Sequence, residues 1–199
     1  TALFDTSDKV GIGAPGYPSY KQILRALDIE PVIIETNIEN KFQISLNSIN
    51  NQELNGILVA SPANPTGSML DSNQLTQLIK KCHDNSISFI SDEIYHGIEY
   101  QKKAVSALEI TDDCYVINSF SKYFSMTGWR VGWMVVPEAH IRQVERLAQN
   151  MFICAPHSSQ IAALGALNSV KELNQNLEVY KINRELLING LKKEGFDKF

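Results

Sequence analysis

Lys122 lies at the centre of the stretch Ser-Phe-Ser-Lys-Tyr-Phe-Ser-Met-Thr-Gly-Trp-Arg-Val-Gly-Trp, residues 119–133. Two hydroxyls, Ser119 and Ser121, stand just before it, and Arg130 follows eight residues later. The apolar run 115–117 ahead of it reads as a buried strand. An amine at the mouth of such a strand sheds part of its hydration and becomes a better nucleophile toward a carbonyl carbon. Arginine presents a planar fork of donors to an anion, and small hydroxyls fill the remaining phosphate oxygens at close range. A carbonyl-seeking amine beside a phosphate cradle points to pyridoxal 5'-phosphate (PLP).

Three more segments place chemistry-bearing side chains directly after apolar runs. They are Tyr17 in Ala-Pro-Gly-Tyr-Pro-Ser-Tyr (14–20), Asn64 in Ser-Pro-Ala-Asn-Pro-Thr-Gly (61–67), and Asp92 with Tyr95 in Ser-Asp-Glu-Ile-Tyr (91–95). Taken alone, Asp92 reads equally well as a turn or N-cap aspartate, and Asn64 followed by Pro65 as a plain turn.

The elements that must position these groups follow from periodicity. Strands are expected at 10–13, 31–35, 56–60, 87–90, 114–118 and 131–136, each a continuous apolar run of the kind buried on both faces of a parallel sheet. A first helix carries Ile23, Leu24 and Leu27 on one face, and the polar stretch 36–55 holds at most a short helix near 46–50. Asp71 with Gln74 forms a capping box ahead of Leu75, Leu78, Ile79 and Cys82. Pro137 is placed as the first residue of a helix bearing Ile141, Val144 and Leu147, and further helices are expected near 158–168 and 172–193. Strands alternating with helices predict an α/β protein, a three-layer α/β/α sandwich with a mainly parallel sheet. Ligands of such sheets sit beyond the carboxyl ends of the strands, where Tyr17, Asn64, Asp92 and Lys122 all fall.

Composition narrows the function classes. The 199 residues carry a net charge of -4 with Lys and Arg scattered, so no basic stripe tracks a nucleic acid. No apolar run is long enough for a bilayer and no secretory signal opens the chain, which reads as soluble and cytoplasmic. The unclustered Cys82, Cys114 and Cys154 fit neither a disulfide framework nor a metal site and are expected to be small core residues. A start at Thr1 and a stop at Phe199 after a helical pattern suggest a piece of something longer.

Asn-Pro-Thr-Gly at 64–67, Asp-Glu-Ile-Tyr at 92–95 and Ser-Phe-Ser-Lys with Gly-Trp-Arg-Val-Gly-Trp at 119–133, in that order, resemble the class I/II aminotransferases of PLP fold type I, the aspartate aminotransferase-like group. The likeness covers essentially the whole chain. It implies that residues 1–199 form a PLP-binding large domain incomplete at its N-terminus. Residues from about 171 to 199 would form a helix leading towards a small C-terminal domain outside the chain, whose carboxylate-binding arginine is not Arg184. It implies a Schiff-base role for Lys122, a pairing of Asp92 with the pyridine nitrogen, and hydrogen bonds from Asn64 and Tyr95 to the phenolic oxygen. Tyr17 would stack on the ring, while Ser119, Ser121 and Arg130 grip the phosphate, with Gly128 letting the backbone turn tightly beside Arg130. Tyr20, Glu93, His96, His157, Trp129 and Trp133 are assigned to packing or loops. The expected activity is transfer of an amino group between an amino acid and a 2-oxo acid, in a homodimer. A PLP-dependent C-S lyase of the same fold and a PLP-binding sensor domain of a transcription regulator are the alternatives.

Overall fold

The computed structural model describes residues 2–50 and 52–196. Among these, the apolar runs become strands β1 (Lys9–Ala14), β2 (Glu30–Glu35), β3 (Gly56–Ala60), β4 (Ser88–Asp92), β5 (Tyr115–Ser119) and β6 (Gly132–Val135). The helical segments become α1 (Pro18–Ala26), α2 (Leu46–Ile49), α3 (Ser72–Asp84), α4 (Glu138–Met151), α5 (His157–Leu167) and α6 (Val170–Lys193). Local chemistry sets several of these bounds. Asp71 accepts from the Gln74 backbone while Gln74 reaches back to Asp71, the expected capping box. Pro18 opens α1, where its missing N–H costs nothing. Pro137 stands one residue outside α4 rather than inside it, in an extended conformation at φ -52 and ψ 141.

The strands form one sheet in the order β2-β1-β3-β4-β5-β6. All neighbours are parallel except β5 and β6, which run antiparallel. The chain order reverses between β1 and β3, a switch point of the kind that opens a crevice at the carboxyl edge.

Register shows how the layers arise. Ile12 pairs with Leu58, Leu58 with Ile90, and Ile90 with Tyr115, so these four share one face. There Val10, Ile12 and Leu58 pack with Leu24 of α1, and the Tyr115 hydroxyl hydrogen-bonds His140 of α4 at 2.6 Å. Ile57, Val59, Phe89 and Val116 face the other way, into the main core with Leu75, Leu78 and Cys82 of α3 and Ile49 of α2. Helices on both faces of a mainly parallel sheet make the expected three layers.

The helical faces bury less than their periodicity predicts. Leu24 is buried, whereas Ile23 is 57% and Leu27 37% exposed, because α1 meets the sheet along a single line of contact. Among the described residues α4 buries none, with Ile141 exposed, and every residue of β6 is exposed. Cys82 and Cys114 are core residues, but Cys154 is exposed in the connection between α4 and α5, so only two of the three thiols fill the interior. No helix among the described residues is long and apolar enough to cross a membrane.

Candidate functional site

Four neighbouring strand ends build the site. β1 leads into Pro15-Gly16-Tyr17, β3 into Ser61–Asn64, β4 ends on Asp92, and β5 ends on Ser119. Their parallel pairing brings all four to one edge of the sheet.

The lysine amine stands over an aromatic ring. Its Nζ lies 5.5 Å from the centroid of the Tyr95 ring, a cation-π distance. The Tyr95 hydroxyl lies 3.5 Å from Asn64 Nδ2, a long contact that leaves both groups free to donate to a third oxygen between them. Asn64 itself is fixed by its loop. Ala63 N–H donates to Ser68 O at 2.9 Å and Gly67 N–H to Ala63 O at 2.7 Å, with Gly67 in the left-handed region at φ 67. Buried Gln43 clasps that loop, its Nε2 donating to Ser68 O at 2.8 Å and Ala60 O at 3.2 Å. Gln43 comes from the polar stretch 36–55, where sequence offered no signal for it.

Asp92 and Glu93 are adjacent carboxylates with opposite surroundings. Asp92 lies in register with Ala60 and Ile117, on the face that carries α1. Its Oδ2 accepts a hydrogen bond from the Tyr20 hydroxyl and its Oδ1 one from the Ile94 N–H at 3.1 Å. Burial and then the Asp92 charge push the Tyr20 phenol well above its ordinary value of 10.0. The Tyr20 ring also packs edge-on against Tyr17, with centroids 5.5 Å apart. Tyr20 therefore joins two of the expected site residues, and its assignment to packing alone is corrected. The signal was its i+3 spacing from Tyr17, which puts both rings on one side of the first helical turn. Glu93 turns into the opposite core, where Oε1 accepts from Ser91 Oγ at 3.1 Å and from the Ala107 N–H at 2.8 Å. Its Oε2 lies 3.5 Å from His96 Nδ1.

The stretch after β5 folds into a compact cradle. Ser119 Oγ donates to Ser121 Oγ at 2.9 Å and accepts from the Ser121 N–H at 3.0 Å. Thr127 Oγ1 donates to Ser121 O at 2.6 Å, and Arg130 Nη1 donates to Thr127 O at 3.0 Å. Thr127 thus links the arginine to the serines, a part the sequence reading did not assign. Arg130 itself is left-handed, with φ 52 and ψ 50, whereas Gly128 has no such conformation and open space where a Cβ would stand. The tight turn is made by Arg130, not by Gly128 as expected. Trp129 and Trp133 are partly exposed beside it.

These residues fit PLP. Asn64 and Tyr95 converge as donors, and Arg130 keeps guanidinium N–H groups beyond the one given to Thr127. The Tyr17 ring is 44% exposed and available for stacking. Among the described residues no three His, Cys, Asp or Glu side chains are grouped for a metal ion.

The family described as aminotransferase class I and II matches residues 1–199. The valine-pyruvate aminotransferase of Mycobacterium tuberculosis is 41% identical over 99% of this chain and 52% of its own length. An aspartate aminotransferase of Sulfolobus acidocaldarius is 32% identical over 94% of the chain and 48% of its own length. A crystal structure of a candidate aminotransferase from Silicibacter pomeroyi superposes with a TM-score of 0.95 at 64% identity, over 98% of this chain and 53% of that one. The chain spans about half the length of the relatives it matches.

Proposed function

We propose that this chain, which belongs to the class I and II aminotransferase family, holds PLP at the carboxyl edge of its sheet and moves an amino group between an amino acid and a 2-oxo acid. The observation that carries the reading is the Lys122 amine poised over the Tyr95 ring, next to the convergent Asn64 and Tyr95 donors.

Bound there, PLP supplies an electron-withdrawing ring that renders the Cα proton of an amino acid removable. The protein's own groups do the rest. Lys122 would hold the cofactor through its amine, and that amine, once free, would serve as the base for the substrate's Cα proton. Asp92 accepts the N–H of the pyridine nitrogen, its carboxylate oriented by Tyr20 and Ile94. Asn64 and Tyr95 donate to the phenolic oxygen. Tyr17 covers one ring face. Ser119, Ser121 and Arg130 bind the phosphate, with Thr127 bracing the turn that presents the guanidinium. The family resemblance implies that the full-length protein is a homodimer, a part of the reading that a monomer by light scattering would overturn, and the composition supports a cytoplasmic location.

The relatives bear aminotransferase names, so neither elimination from a sulfur amino acid nor a regulatory sensor is favoured. The test is to add PLP to the full protein, reduce with borohydride and map the labelled peptide. A phosphopyridoxyl group on Lys122, with amino transfer from valine or aspartate to pyruvate that a Lys122→Ala variant loses, supports the reading. A label elsewhere, or transfer undiminished by Lys122→Ala, sinks it.

A further inference from the structure

α6 touches the site-bearing loops at three points. The Tyr123 hydroxyl donates to Asn174 Oδ1 at 3.1 Å. Asn176 Nδ2 donates to Ser125 Oγ at 3.4 Å, where the backbone reverses with Ser125 at φ 56. The Arg184 guanidinium lies 5.2 Å from the Tyr100 ring centroid, on the segment that follows Tyr95.

Tyr123 is the residue immediately after Lys122, and its ring also rests on Gly97. A Cβ built on Gly97 would stand 2.6 Å from Cγ and 2.7 Å from Cδ2 of that ring. Those atoms sit at the root of a stiff side chain and cannot swing aside. Gly97 has φ +92, a conformation that side-chain-bearing residues rarely take. The missing side chain at position 97 is what lets the Tyr123 ring lie against the turn that follows Tyr95, whose own ring lies beneath the Lys122 amine.

We propose that Tyr123 is a positioning residue, locking the backbone of Lys122 between the Gly97 turn and α6 and so fixing where the amine stands over Tyr95. The proposal rests on the reading of Lys122 as the cofactor lysine. A lysine stem has many accessible rotamers, so an anchored root narrows the space its amine samples. Attack on a carbonyl carbon needs near-contact geometry, and small displacements of the nucleophile slow it steeply.

The two anchors can be separated. Tyr123→Phe keeps the ring on Gly97 and removes only the bond to Asn174, and Asn174→Ala removes the same bond from the other side. In the full protein with added PLP, the readouts are the rate of label capture on Lys122 and the pH midpoint of the visible band. Each single variant is expected to slow capture about two- to tenfold, the equivalent of one hydrogen bond, and the double variant no further. The pH midpoint moves in the same direction in all three. Gly97→Ala, which drives a methyl group into the ring, moves both readouts the same way. Unchanged capture rates and midpoints in Tyr123→Phe and Asn174→Ala, with at most a lower Tm, would show a merely packed ring and overturn the proposal. Absence of any label on Lys122 in the wild-type protein overturns the cofactor reading, and the positioning role falls with it.

Discussion

The Tyr20 hydroxyl donates a hydrogen bond to Asp92 Oδ2 across 72 positions of sequence. Strand geometry explains how they meet. Asp92 shares a face of the sheet with Ile90 and Leu58, because side chains two apart in a strand point the same way. That is the face on which α1 packs through Leu24, so Tyr20 of α1 arrives beside the carboxylate. Glu93, one residue on, is delivered to the opposite core.

Tyr20→Phe removes a hydrogen bond to a charged group in a partly buried site, and is expected to cost about 1.5–3 kcal/mol. The pH dependence has a definite sign. The folded phenol is pushed above its ordinary value of 10.0, first by burial and then by Asp92. The unfolded chain therefore releases this proton near pH 10 while the folded chain keeps it, so the contribution is complete below that pH and declines above it. Urea midpoints measured from neutral to strongly alkaline pH should fall less steeply in Tyr20→Phe than in the wild-type protein. Equal slopes would contradict the assignment.

Gln43→Ala strips the clasp from the loop that presents Asn64. Ala60 O and Ser68 O lose a donor in a buried place, at a cost of about 1–3 kcal/mol. At about 2–4 °C per kcal/mol for a chain of this size, calorimetry should show Tm lowered by several degrees. Gln43→Glu should be at least as damaging, since it replaces the donor with an acceptor facing two carbonyls.

Arg130→Lys keeps the charge and loses the planar fork. Retention of PLP in equilibrium dialysis should weaken by about 10- to 100-fold, the range of one or two charge-assisted hydrogen bonds. An unchanged dissociation constant would remove Arg130 from the phosphate cradle.

The thiols should separate by burial. Desolvation pushes Cys82 up to about 12 and, with help from the Glu93 charge, Cys114 up to about 11. Cys154 is exposed. A disulfide reagent at mildly alkaline pH should label Cys154 rapidly in the native chain and reach Cys82 and Cys114 only after unfolding. Fast native labelling of Cys82 would mean that the α3 layer opens readily.

Much of this protein is local and could be read along the chain. Apolar runs specified the strands, the Asp71 and Gln74 capping box marked the start of α3, and motif spacing put Lys122, Asp92, Asn64 and Tyr95 at strand ends. Each of those features depends on residues within a few positions of one another. The sequence could not say that β6 runs antiparallel, that Cys154 is exposed, or that α1 buries Leu24 but not Ile23 and Leu27. Nor could it show that Tyr20 holds Asp92, that Gln43 clasps the Asn64 loop, or that Tyr123 ties Lys122 to α6. Those partners lie far apart in sequence, and which of them meet depends on strand order and register. A register slip of one residue would send Asp92 to the face now taken by Glu93, so the residue types alone set the available chemistry while the packed sheet decided which groups share a site.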